Sequence, residues 1–221
     1  MKKITFADVL ANEEFRVYVE KGDELLGTLG YTDHSAAHTV KVGQTAAHVL
    51  LTLGFSEDEA ELARIAGYVH DIGNMVNRVD HAQTGAIIAF QLLTHMGMPP
   101  ADIAAVVSAI GNHDEGAGSA ISPVSAAIII SDKTDVRRSR VRNTDFATFD
   151  IHDRVNYAVE KSELSVDAGK REVLLTMTID TEICSVMDYF EIFLSRMMMC
   201  RRAADMLKAR FGLLVNGSRI L

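Results

Sequence analysis

Gly67-Tyr68-Val69-His70-Asp71-Ile72-Gly73-Asn74 is the stretch on which the reading of this chain turns. An adjacent histidine and aspartate close an apolar helix that opens at Ser56-Glu57-Asp58-Glu59, a capping-box signature, and carries Leu62, Ile65, Ala66 and Val69. Successive helical residues point about 100° apart, so His70 and Asp71 reach one ion together only where that helix faces a cleft. Upstream, Asp33-His34-Ser35-Ala36-Ala37-His38 introduces a helix with two histidines four apart, hence on one face. Downstream stand His81 in Asp80-His81-Ala82-Gln83-Thr84-Gly85, His113 in Gly111-Asn112-His113-Asp114-Glu115, and Asp132 in Ser131-Asp132-Lys133-Thr134-Asp135. Each sits at the start or end of an apolar helix, where a side chain can face a shared cavity. Imidazole nitrogens with carboxylates are the donor set of a borderline divalent metal.

The rest of the chain supports a mostly α fold. Val40, Val42, Ala46, Ala47, Leu50, Leu51 and Leu53 keep helical spacing until Gly54. Residues 82–96 repeat the pattern, Met98-Pro99-Pro100 starts the next helix, and Ser122-Pro123 opens an apolar helix expected to run to about Val136. The last third changes character. Val173–Asp180 mixes β-branched and apolar residues and reads as a strand. A Met-rich helix is expected over about 182–210, followed by one or two short strands around Asn216-Gly217. The expectation is a helical bundle over 1–150 with a small α+β C-terminal appendage, 151–221, packed on it. Cys184 and Cys200, both expected in that long helix, would lie roughly 24 Å apart, too far for a disulfide.

The order His38, then His70-Asp71, then Asp132 resembles the H…HD…D signature of the HD-domain superfamily of metal-dependent phosphohydrolases, across roughly residues 30–140. His81 and His113 look like the extra ligands of its dinuclear branches. His81-Ala82-Gln83-Thr84-Gly85 and Asn112-His113-Asp114-Glu115 are similar to two elements of the HD-GYP phosphodiesterases, with departures at Asn74, Ala82 and Asn112 and no Gly-Tyr-Pro after His113. The resemblance implies an HD-domain helical bundle holding two divalent ions (Fe, Mn, Ni, Co or Zn), bridged by Asp71. One ion would sit on His38, His70 and Asp132, the other on His81 and His113. It implies hydrolysis of a phosphate ester, of a nucleotide or related small molecule, by a metal-bridging hydroxide, with Asp71 and Asp114 as catalytic carboxylates. His34 competes with His38 for the first ligand position and is otherwise a substrate contact. Lys133, Arg137 and Arg138, in a basic run that extends to Arg142, are the expected phosphate clamp, because guanidinium binds phosphate oxygens bidentately.

Composition narrows the alternatives. The 221 residues carry 22 basic and 30 acidic side chains, a net charge of −8, which argues against a general nucleic-acid binder. No apolar run is long enough to span a bilayer, and an acid at position 8 interrupts any signal-peptide core, so a cytoplasmic location is expected. The same ligand set would suit a di-iron oxygenase, and a non-catalytic nucleotide sensor is the third reading. The C-terminal appendage could support a homodimer or cover the cleft.

Overall fold

The computed structural model describes residues 3–221. Helices α1 (Phe6–Ala11) and α2 (Glu13–Thr28) come first, capped by Thr5 and Asn12. They cover the bundle formed by α3 (Ala36–Thr52), α4 (Glu57–Val69), α5 (His81–His95), α6 (Pro100–Gly111) and α7 (Pro123–Lys133). The capping box read at Ser56 and Glu59 is present, and Pro100 and Pro123 each stand in a first helical turn. Helix α7 is the axis of the core. Residues 126–130 are wholly buried, and a helix apolar on every face must be surrounded. Here α3, α4, α6 and α9 surround it.

Helices α3 and α4 approach so closely that side chains are excluded at the crossing. A Cβ on Gly67 would meet the backbone of Gly43 at 2.6 Å, and one on Gly43 would meet the Arg64 carbonyl oxygen at 2.5 Å. The His70-Asp71 pair follows this crossing at the C-terminus of α4. A short 3-10 turn, Ile72–Met75, then lies against the start of α5, where a Cβ on Gly73 would come within 2.0 Å of the His81 carbonyl oxygen. Two glycines thus set the distance from His70 both to α3 and to α5.

After α7 the chain forms α8 (Ile151–Ala158), β1 (Val159–Asp167), β2 (Glu172–Ile179), α9 (Val186–Met206), β3 (Arg210–Val215) and β4 (Ser218–Arg219). The sheet order is β1-β2-β3-β4, with β2 and β3 parallel and the other pairs antiparallel. A parallel pair needs a crossover, and α9 is that crossover. It packs on α7, which fastens the sheet to the bundle.

Three expectations shift. Helix α7 stops at Lys133 rather than near Val136: Thr134 is its C-cap, and the chain is fully extended by Arg137. Helix α9 starts at a Ser185–Asp188 capping box and ends before Lys208, whose φ of 54° cannot continue a helix. Cys184 therefore precedes α9 and Cys200 lies within it, both buried and unpaired. Strand β1 carries no sequence signal because, at the sheet's outer edge, it exposes Glu160, Lys161 and Glu163. No helix among the described residues is long and apolar enough to cross a membrane.

Because the Gly43–Gly67 contact admits no Cβ, Gly67→Ala should force the two helices apart. The expected cost is about 1–3 kcal/mol in denaturant unfolding, together with weaker metal retention as His70 moves away from His38.

Candidate metal centre

Helix ends bring the histidines together, and their backbone fixes which nitrogen each one offers. The Nδ1–H of His70 donates to the Gly67 carbonyl (2.8 Å), that of His81 to Arg78 (3.0 Å), and that of His113 to Ile110 (2.7 Å). Each acceptor lies three residues earlier, at a helix or turn terminus where the regular helical ladder runs out; the Ile110 carbonyl also accepts the His113 amide at 3.3 Å. His38 donates from Nδ1 to Asp135 Oδ2 at 2.8 Å instead. With Nδ1 protonated, a neutral imidazole turns an Nε2 lone pair inward. The Nε2 atoms of His38 and His70 are buried and have no hydrogen-bond partner.

These lone pairs converge on two carboxylates, Asp71, which is buried, and Asp132, which is half-buried. Asp71 Oδ2 lies 3.1 Å from His70 Nε2, and Asp71 Oδ1 lies 3.3 Å from His81 Nε2 and 3.7 Å from His113 Nε2. Asp132 Oδ1 is 3.4 Å from His38 Nε2 and 3.6 Å from His70 Nε2. The Nε2 atoms of His81 and His113 are 3.2 Å apart. Two lone pairs at that distance repel unless a positive charge lies between or beside them. Three sets of donor atoms, each mutually within 4.8 Å, could hold an ion: His38, His70 and Asp71; His70, His113 and Asp132; Asp71, His81 and His113. The orphaned buried nitrogens and the imidazole–carboxylate chemistry fit divalent metal.

The electrostatics agree. Burial disfavours a charged His70, yet Asp71 and Asp132 overcome it and raise its pKa to about 10. Burial likewise disfavours ionisation of Asp71 and Asp132, but His70 beside the first and Lys133 beside the second hold both well below the ordinary carboxylate range. The centre therefore draws positive charge strongly.

Of the other expected site residues, His34 reaches the floor of the cleft, with Nε2 3.9 Å from Asp71 Oδ2 and Nδ1 on the Thr32 carbonyl. Burial holds its pKa well below the usual histidine value, and it belongs to none of the three donor sets. Asp114 stands at a side opening, with Oδ1 3.9 Å from His81 Nε2. Lys133 lines the cleft but is buried between Asp132 (2.8 Å) and Glu115 (2.7 Å), so its charge is already neutralised.

The structure does not bring Arg137 and Arg138 to the cleft. With α7 ending early, Arg137 folds onto Asp135 (3.0 Å from Nε to Oδ1). Arg138 donates from Nε to the Tyr157 carbonyl (2.6 Å) and lies over the Tyr157 ring. Their places are taken by guanidinium groups from three separate elements. Arg78 Nη1 lies 3.2 Å from His81 Nε2. Arg140 is buried, held by the carbonyls of Asp33 (2.9 Å) and Asp135 (2.8 Å). Arg196 from α9 is paired with Glu115 at 2.8 Å and lies over the Phe193 ring. All three line a cleft of about 370 Å³ above Asp71. No local motif marks them. Arg78, three residues before His81, is the one that proximity in sequence could have flagged.

With this geometry in hand, likeness to known proteins is informative. A helical bundle presenting imidazoles and two aspartates from its helix ends defines a metal-binding class, and residues 36–191 match the HD domain. The chain belongs to the HD domain family. The matched span runs past residue 150 into α9, the helix that supplies Phe193 and Arg196. The chain is 24% identical over 203 residues to the uncharacterized protein MJ1020 of Methanocaldococcus jannaschii, covering 81% of this chain and 78% of that protein. A crystal structure of a predicted HD superfamily hydrolase from an uncultured Thermotogales bacterium shares 24% identity at a TM-score of 0.44, covering 56% of this chain and 67% of that one.

Asp135 offers a test of the outer layer. It accepts from His38 Nδ1 and from Lys41 Nζ (2.6 Å), and so fixes the tautomer and aim of His38. Asp135→Asn should leave the fold intact and lower metal affinity about 10–100-fold, read by competition with a chromophoric chelator.

Proposed function

We propose that the chain is a metal-dependent hydrolase of a small phosphate ester, with a dinuclear centre. The observation that carries this reading is the convergence of four Nε2 lone pairs on Asp71 and Asp132 beneath a cleft lined by three guanidinium groups. His38, His70 and Asp132 would hold one ion, His81 and His113 the other, and Asp71, which faces both groups, would serve both. Divalent ions so held supply a water of lowered pKa and neutralise charge that develops on phosphoryl oxygens.

The chain's own residues then divide the work. Arg140, immobilised by two backbone carbonyls, presents a guanidinium that needs no reorganisation to meet an anionic oxygen. Arg78 lies at the boundary between the cleft and the side opening and can follow the phosphoryl group. Asp114 Oδ1, beside His81 on the solvent side, is the carboxylate at hand to accept a proton from the attacking water. Lys133 keeps Asp132 ionised and aimed at His38 and His70. His34, kept neutral by burial, is a hydrogen-bonding contact rather than a charge.

Two measurements test the reading. Metal-loaded protein should release phosphate from members of a phosphoester panel, equally with and without oxygen. Strict oxygen dependence with no hydrolysis would select the di-iron oxygenase, and nucleotide binding without turnover would select the sensor. Arg78→Ala should raise KM by about one to two orders of magnitude, as expected for a charge-assisted contact of about 1.5–3 kcal/mol.

The metal count is a separate matter. His81→Ala should lower occupancy from about two ions per chain to about one with the fold retained, as measured by elemental analysis of chelator-free protein. Wild-type protein that takes up only one ion would refute the dinuclear centre.

A further inference from the structure

The lining of the cleft also holds a group of acceptors that the proposed chemistry does not use. Helix α8 contributes Asp153 and Asn156, and its N-cap Asp150, beside the segment that carries Arg140. Asp153 and Asn156 are only 9% and 7% exposed, yet they face the cleft rather than the apolar core. Asn156 donates from Nδ2 to the His152 carbonyl (2.8 Å), and its Oδ1 accepts from no described residue. Asp153 Oδ2 receives Asn143 Nδ2 at 3.3 Å, while Oδ1 receives no described donor. Asp150 caps α8 by accepting from the Asp153 amide at 2.7 Å. Among the described residues no lysine or arginine forms an ion pair with Asp150 or Asp153, although Asp71, Asp132, Asp135 and Glu115 each have a basic partner. These free oxygens open onto the cleft, and a site that offers such acceptors favours a ligand that supplies the donors over an analogue that lacks them.

This wall is firmly held. Arg138 ties α8 to the segment that carries Arg140, through its bond to the Tyr157 carbonyl. Phe149 packs on the Tyr157 ring from the other side of the loop (centroids 5.2 Å apart). Arg140, on the segment packed against α8, has Nε and Nη1 anchored and Nη2 without a described acceptor. One cavity thus carries both an anchored guanidinium and anchored acceptors.

We propose that the α8 wall is the subsite for the leaving group of the ester, and that this group carries O–H or N–H donors, as a sugar, polyol or aminoalkyl phosphate does. A second phosphoryl group there would face Asp150 and Asp153, so the preferred substrate is a monophosphate rather than a polyphosphate. A volume of about 370 Å³ accommodates a monomeric ester of this kind. The inference rests on the phosphoester reading above and adds to it the chemistry of the leaving group.

Non-hydrolysable phosphonates test it through binding alone. Calorimetric Kd values would be measured on the metal-loaded full chain for propylphosphonate, 3-aminopropylphosphonate, 2,3-dihydroxypropylphosphonate and propane-1,3-bisphosphonate. At least one of the two donor-bearing ligands should bind about tenfold tighter than propylphosphonate, and which of them does so separates an ammonium from a hydroxyl group. The bisphosphonate should bind no tighter than propylphosphonate. Asp153→Asn, nearly isosteric, and Asn156→Leu, tested separately with thermal unfolding as a check on folding, should each reduce that preference while leaving propylphosphonate affinity unchanged. Equal affinity for all three monophosphonates, a preference that survives both substitutions, or tighter binding of the bisphosphonate would overturn the inference. Failure of every phosphonate and of inorganic phosphate to bind would instead overturn the phosphoester reading, and the leaving-group subsite with it.

Discussion

The interaction on which the rest depends is the bond from histidine Nδ1 to a backbone carbonyl three residues earlier, made by His70, His81 and His113. It decides the tautomer before any ligand arrives. With Nδ1 committed to a carbonyl, each ring has only Nε2 left to face the cluster, where it meets Asp71, a neighbouring ring or, at His81, also Arg78. Such crowding of imidazoles and carboxylates is costly unless positive charge lies among them. It persists because the helices carrying these residues cannot relax apart. Helix α7 is clasped on all sides, and the α3–α4 crossing is closed to the width of two glycines. Packing enforces the electrostatic tension, and that tension is what gives the centre its appetite for cations.

Around this centre the polar groups form layers. Asp135 orients His38 and is itself surrounded by Lys41, Arg137 and Arg140. Lys133 joins Asp132 to Glu115, and Glu115 joins Lys133 to Arg196 of α9. Burial opposes its ionisation, but Lys133 and Arg196 bring the pKa of Glu115 down to about 2. A line of alternating charge therefore runs from the ligand cluster to the crossover helix. It couples the helical bundle to the part of the chain that follows it.

Much of this was legible in the sequence, and the boundary of legibility has a physical cause. Helix ends with adjacent polar residues are visible as interruptions in an apolar period, and the resemblance of their order to the HD signature drew His38, His70-Asp71, His81, His113 and Asp132 together. Capping boxes and prolines gave the helix starts. The cleft's guanidinium groups were not legible. Arg78, Arg140 and Arg196 belong to a loop, a 3-10 turn and a late helix, and only tertiary packing brings them to one cavity. The basic run after Asp132 was misleading because helical phase was extended past Thr134, the C-cap of α7, into a segment that is extended at Arg137. Strand β1 was invisible for a similar reason, since an edge strand with charged residues outward has little to distinguish it from a loop. Asp153 and Asn156 sit on a helix of eight residues whose pattern points nowhere in particular until α8 docks.

The parallel pairing of β2 with β3 has a consequence for the order in which the molecule is made. Helix α9 carries Phe193 and Arg196 into the cleft, and the strand after it, residues 210–215, lies beside residues 172–177. All six expected ligands lie between residues 38 and 132, so translation delivers them before it delivers this wall. A ribosome that has passed α7 but not α9 has made the donor set without its cover.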